Sequence, residues 1–207
     1  MTDATRKARR RFLHTTGTLA LAAGLMPLAP RGALASVPGN LPANLPGNLP
    51  ANQALAGLPD ARTLAFDHTH TGERVSLVYA VGERFVPEAL TTLNGFLRDH
   101  YSGKVGTIDP QLFDLLFQVR RELGTDKPFQ VISGYRSPAT NSRLRNSRGG
   151  GVAKHSLHMD GKAIDIRLAG VSLADVRDAA KSLQRGGVGY YESDQFVHLD
   201  TGRVRYW

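Results

Sequence analysis

The chain of 207 residues has no cysteine. That excludes a disulfide framework, a thiolate-closed structural zinc site and a lipidated amino-terminal cysteine. Aromatic residues make up only 7% of the chain, with a single tryptophan. There is no long hydrophobic run either. The apolar stretch from Leu19 to Leu28 is interrupted by Gly24 and Pro27 and is far short of the ~20 residues that span a bilayer. Acidic residues are outnumbered, 18 against 26 basic, for a formal net charge of +8. Most of that excess is local: six of the basic residues and one acidic residue lie in positions 1–35, which leaves 20 against 17, or +3, in the remainder. No nucleic-acid partner is implied by such a balance.

The first 35 residues read as an address. Arg9-Arg10-Arg11-Phe12-Leu13 has the form of a twin-arginine export signal, the mildly apolar run follows, and Ala33-Leu34-Ala35 supplies the small-x-small cleavage site. Export to the periplasm is therefore expected, with no stable membrane span after cleavage. A chain without cysteine suits folding in the cytoplasm before entry into an oxidising compartment. From residue 36 to about 58 the motif Asn-Leu-Pro-Ala/Gly recurs every four residues. Proline blocks helix and ladder bonding, and little apolar area offsets the entropy of ordering, so residues 36–61 are read as a tether.

Residues 62–207 have the length of one domain. Thr63–Asp67 and Glu73–Val81 read as strands around a Thr-His-Thr-Gly turn. Pro87 to about Asp99 reads as a helix, with Leu90, Leu93, Phe96 and Leu97 on one side. Asp109-Pro110 is a cap-and-first-turn pair for a helix ending at Gly124, Phe129–Ser133 is a short strand, and Ser172-x-x-Asp175 starts a helix to about Leu183. Strands and helices do not alternate strictly. The expected fold is α+β, a small, mainly antiparallel sheet flanked by helices, acting as a monomer.

Chemistry concentrates in Ser156-Leu-His-Met-Asp-Gly-Lys-Ala-Ile-Asp165. From Lys162 the pattern alternates, so Ile164, Ile166 and Leu168 face a core while Ala163, Asp165 and Arg167 face away. Gly161 and Ala163 leave room for close approach beside Asp165. A turn-borne His158 and a strand-borne Asp165 can converge on one metal ion; the plainer alternative is a surface histidine and a strand-end aspartate. Near the carboxy end, Gln195-Phe-Val-His-Leu-Asp200 alternates again, with His198 and Asp200 on one face. His158, Asp165 and His198 would hold one Zn2+ per chain with a fourth position open to water, the catalytic rather than the structural arrangement. Asp200, two residues beyond His198 on the same face, is a candidate general base, and equally a carboxylate that orients His198. Glu192 and Asp194 are further base candidates. His68 and His70 lie far along the chain from this group and are read as surface or structural residues.

Six pieces in order carry a family resemblance: Phe66-Asp-His-Thr-His-Thr-Gly-Glu73, Leu93-Asn-Gly-Phe-Leu-Arg-Asp-His100, Ile108-Asp-Pro110, Ser133-Gly-Tyr-Arg-Ser-Pro138, the 156–165 stretch, and Val197-His-Leu-Asp-Thr-Gly-Arg-Val-Arg-Tyr-Trp207. Together they resemble the murein endopeptidase K family of the zinc D-alanyl-D-alanine peptidase superfamily, whose fold is shared with the hedgehog signalling domain. The resemblance implies a zinc-dependent endopeptidase acting on the peptide cross-links of cell-wall peptidoglycan. Alternatives are a murein D-amino-acid carboxypeptidase and a non-catalytic, zinc-stabilised murein-binding protein. It also implies a substrate- or transition-state-stabilising arginine at Arg136, whose planar fork suits a carboxylate or oxyanion. Tyr135 beside it and His155, three residues before His158, are candidate substrate-binding residues. Arg143, Arg145 and Arg148 are placed in a glycine-rich loop that attracts murein carboxylates or is simply solvated. One departure stands out: relatives often carry an acid three residues before the last histidine, and here that position is Gln195.

Overall fold

The computed structural model describes residues 51–147 and 152–207. The segment read as an export signal, the repeat up to residue 50, Arg148 and the glycines 149–151 lie outside the described residues. Eight strands of the described residues join in one sheet: β1 (Ala61–His68), β2 (Arg74–Val81), β3 (Arg84–Phe85), β4 (Phe129–Ser133), β5 (Ala163–Leu168), β6 (Gly187–Tyr191), β7 (Phe196–Asp200) and β8 (Arg205–Tyr206). Their order is β3-β2-β1-β4-β5-β7-β6-β8. The pairs β1–β4 and β6–β8 are parallel and the other pairings antiparallel. The α+β class holds and five of the seven pairings are antiparallel, but the sheet is mixed and eight-stranded rather than small. The parallel β1–β4 pair joins segments more than sixty residues apart, which strand periodicity does not reveal.

Five helices accompany it: α1 (Ala51–Ala56), α2 (Pro87–Phe96), α3 (Pro110–Glu122), α4 (Pro138–Ser147) and α5 (Leu173–Ser182). Their starts follow local chemistry. Asp109 accepts a hydrogen bond from Gln111 N (3.0 Å) with proline at the first turn, and Ser172 Oγ accepts from Asp175 N (3.1 Å). One sheet face, with Leu64, Phe66, Tyr79, Phe129, Ile164, Ile166, Val197 and Leu199, packs with α2, α3 and α5 into a single core. Full burial of each such side chain contributes about 1.5–3 kcal/mol. Because strand side chains alternate, the same strands turn Asp165, His198 and Asp200 to the other face. The core side thus fixes the positions of the polar side.

Two expectations change here. Helix α1 and the start of β1 fall inside the stretch 36–61 read as a tether; Asn52 exchanges hydrogen bonds with Val78 N and O (3.0 and 3.3 Å), tying α1 to β2. Arg143 and Arg145 lie on helix α4, not in a loop. That helix buries Thr140 and Asn141 rather than an apolar stripe, so periodicity gives no sign of it. Its signal is Ser137-Pro138: the Ser137 hydroxyl accepts from Thr140 N at 3.3 Å, the same cap-then-proline grammar that opens α3.

Candidate metal centre

Antiparallel pairing of β5 with β7 sets Asp165 directly across from His198. The third member arrives on the turn before β5. Gly161 takes φ +66° there, and a Cβ at that position would run into the Thr107 carbonyl, so the turn requires glycine. Three donor atoms then converge. His158 Nε2 lies 3.3 Å from Asp165 Oδ1 and 3.3 Å from His198 Nδ1, and His198 Nδ1 lies 2.8 Å from Asp165 Oδ1. All three residues are buried, at 2%, 5% and 9% exposure. Among the described residues this is the group of histidines and acids whose donors gather closely enough to hold a metal ion.

The donor set fits zinc. Tetrahedral ligands at ~2.0–2.1 Å from the ion stand about 3.3 Å apart, close to the spacing found. Each imidazole is also held from behind, as metal-binding histidines are. His158 Nδ1–H donates to Gly134 O (2.7 Å), which turns the Nε2 lone pair toward the group. His198 Nε2–H donates to Asp200 Oδ2 (3.0 Å), leaving Nδ1 as the inward atom. Burial lowers the pKa of His158 and keeps it neutral. For His198 burial also favours the neutral form, but hydrogen bonds to Asp165 and Asp200 outweigh it and raise the imidazole to about 9. Burial opposes charge on Asp165 too, yet the neighbouring His158 and His198 hold its carboxyl below the usual range. Ionised carboxylates that stabilise a positive charge on His198 would equally stabilise a divalent cation in place of its Nδ1 proton.

Asp200 is fully buried, and both its oxygens are taken. Oδ1 accepts from Gly187 N (3.1 Å), Gly202 N (2.8 Å) and Arg205 Nη1 (3.0 Å), and Oδ2 from Arg205 Nη2 (2.7 Å) and His198. Despite burial, these donors keep the carboxyl well below its ordinary pKa. It sits behind His198, on the side away from the donor triangle. With both oxygens so engaged, this arrangement suits the orienting role better than that of a general base.

Arg136 follows β4 and is drawn into the centre by a backbone bond from its N–H to His158 O (3.1 Å). Its guanidinium is mostly buried, 3.6 Å from Asp165 Oδ2 and 3.4 Å from Ser133 Oγ. Tyr135 is half-buried, with its ring in the space that a side chain on Gly106 would fill, and His155 is exposed. Gln195 does not replace the acid of relatives: it is exposed, has φ +59° and donates to Glu192 O at 2.6 Å. Glu192 and Asp194 are exposed in the same turn.

Three residues near the site carried no sequence signal of their own. Asp99, buried after α2, accepts from Ser137 N (3.0 Å) and Tyr101 N (3.0 Å), bracing the segment that carries Arg136. His100 stacks on His70 at 4.3 Å, beside the buried His68. Asn141 on α4 donates to Ala153 O (3.0 Å) and so anchors the approach to His158.

An α+β sheet that turns a buried His/Asp/His set and a guanidinium to one face offers the donors that a metal-dependent hydrolase with three protein ligands uses. Residues 57–207 match a family model described as peptidoglycan L,D-endopeptidase MepK. The chain belongs to this family, within the zinc D-alanyl-D-alanine peptidase superfamily. It is 40% identical over 200 residues to the peptidoglycan L,D-endopeptidase MepK of Escherichia coli K12, covering 97% of each chain. It is 44% identical over 156 residues to a probable peptidoglycan L,D-endopeptidase MepK of Haemophilus influenzae, covering 74% of this chain and 83% of that protein. Among solved structures, the Serratia marcescens L-Ala D-Glu endopeptidase ChiX matches at 20% identity over 55% of this chain and 86% of that one, with a TM-score of 0.36.

Proposed function

We propose that the protein is an exported, zinc-dependent endopeptidase that hydrolyses peptide cross-links of peptidoglycan. Membership of the MepK family supports the reaction and substrate. The observation that carries the metal reading is the donor triangle of His158, Asp165 and His198, with both imidazoles held from behind. Zinc, when bound there, supplies a Lewis acid for the peptide carbonyl and lowers the pKa of water toward ~7. The protein's own groups bind and orient. Asp200 and Gly134 O fix the two imidazoles in the tautomers that present lone pairs. Arg136, beside the ligands and rigidly placed, binds the carbonyl oxygen as it gains charge, or a carboxylate of the peptide. Exposed His155 and half-buried Tyr135 line the approach for substrate. The periplasm is the compartment where such a substrate is met.

Purified protein incubated with sacculi, with zinc or with a chelator, tests this reading. New soluble monomeric muropeptides, lost on chelation and absent with His158→Ala, are expected. Release of a free amino acid would instead define a carboxypeptidase, and retention on sacculi without cleavage a binding protein.

A further inference from the structure

The large exposed hydrophobics among the described residues fall in two short segments, Tyr101 with Val105 and Val204 with Tyr206 and Trp207. Trp207 differs from the others in what it lies beside. Its ring centroid is 5.3 Å from that of His198, a candidate ligand, yet the residue remains 50% exposed.

Several parts of the chain hold the indole there. Trp207 N donates to Val188 O (3.3 Å) and Tyr190 N donates to Trp207 O (2.9 Å), extending the β6–β8 ladder by one residue. Gly189 stands opposite His198 in the β6–β7 register. A Cβ on Gly189 would come within 2.7 Å of the indole, and one on Gly187 within 2.8 Å of the Arg205 guanidinium carbon. Both glycines are therefore needed for space, Gly189 for the indole and Gly187 for the Arg205 guanidinium, next to the candidate ligand. The indole Nε1–H donates to the Tyr191 hydroxyl at 2.8 Å, which fixes its rotation. Arg205 lies over the ring, 4.9 Å from its centroid, and is committed to Asp200, so it presents no free charge to a ligand.

A tryptophan serving only to close the sheet would bury its faces. This one is fixed by its backbone bonds and by Nε1, has Arg205 over the ring, and still stays 50% exposed beside a candidate ligand, which suits contact with a ligand at low entropic cost. We infer that Trp207 is a substrate-contacting wall of the site. The exposed part of its ring takes an aliphatic side chain of the peptide residue flanking the bond to be cut. This rests on the peptidase reading given above.

The test uses the zinc-loaded full chain and a cross-linked dimeric muropeptide. Trp207→Ala should raise KM about ten-fold or more while kcat stays within about three-fold and zinc stays stoichiometric; Trp207→Phe, which restores a flat ring without the N–H, should recover most of the loss. Trp207 is the single tryptophan of the chain, so its fluorescence provides a second reading on the unaltered protein. Titration with an exhausted digest, which contains both product halves, should change emission saturably. Cleavage by wild type with neither a KM change nor an emission change overturns the inference and leaves the peptidase reading intact. Should Trp207→Ala fail to fold or to hold zinc, the emission titration decides alone. No cleavage by the wild type removes the peptidase reading itself, and the inference with it.

Discussion

Five donors converge on the Asp200 carboxylate, from Gly187, Gly202, His198 and both terminal nitrogens of Arg205. A group so engaged cannot also collect a proton from water, but it can hold an imidazole in place. Asp200→Asn should accordingly weaken zinc affinity by ~10–100-fold, and excess zinc should restore much of the activity. Zinc affinity equal to wild type with activity lost at every zinc concentration would return Asp200 to the role of base. His68 makes a different demand. Burial, reinforced by His100 and His70, lowers its pKa to about 4 from the 6.5 of a free histidine. Between those values the unfolded chain binds more protons than the fold does, so stability is lost as pH falls from 6.5 toward 4. The loss is on the order of 1–3 kcal/mol. Gln at position 68 can still accept from His70 N without titrating. With both proteins stripped of metal, the drop in urea midpoint from pH 7 to pH 4.5 should be smaller for His68→Gln than for wild type.

The element that places Arg136 is the junction of β4 and α4, and it is braced from a distance by Asp99. Burial opposes the charge on that carboxylate, but donors from Ser137, Thr140 and Ser102 hold its pKa below the ordinary range. Its contribution is therefore present above the ordinary carboxylate pKa and fades as pH falls below it. Asp99→Ala leaves the Ser137 and Tyr101 N–H groups unpaired and should cost about 1–3 kcal/mol at neutral pH, seen as a lower urea midpoint. Zinc content should not change, since none of the three ligands touches Asp99. Sequence made much of this scale legible. Asp109-Pro110 and Ser172-x-x-Asp175 mark helix starts by chemistry local to four residues, and alternation along 163–168 and 196–200 sets Asp165 and His198 on one face. What periodicity misses is carried by contacts between distant segments. Helix α4 has no apolar stripe to detect, the β1–β4 pairing joins residues more than sixty apart, and the donors that occupy Asp200 come from β6, β7, the turn at Gly202 and β8. His100 joins His68 and His70 only because the end of α2 folds against the first hairpin.

At the scale of the whole molecule, the catalytic unit and its delivery are separate problems. Residues 57–207 match the family model, while the twin-arginine motif lies ahead of the described residues. Replacing Arg9 and Arg10 with lysine should leave the protein in the cytoplasm at its full length, whereas wild type should be recovered from the periplasm cleaved after Ala35; fractionation with amino-terminal sequencing reads both. The folded unit then has one task, to present three donors and a guanidinium on the sheet face opposite its core. Anomalous diffraction at the zinc edge from zinc-loaded crystals tests that most directly. The account predicts one peak per chain, at ~2.0–2.2 Å from His158 Nε2, Asp165 Oδ1 and His198 Nδ1. A peak bonded to Asp200, or to the His68, His70 and His100 cluster in place of these three atoms, would contradict it, as would none at all.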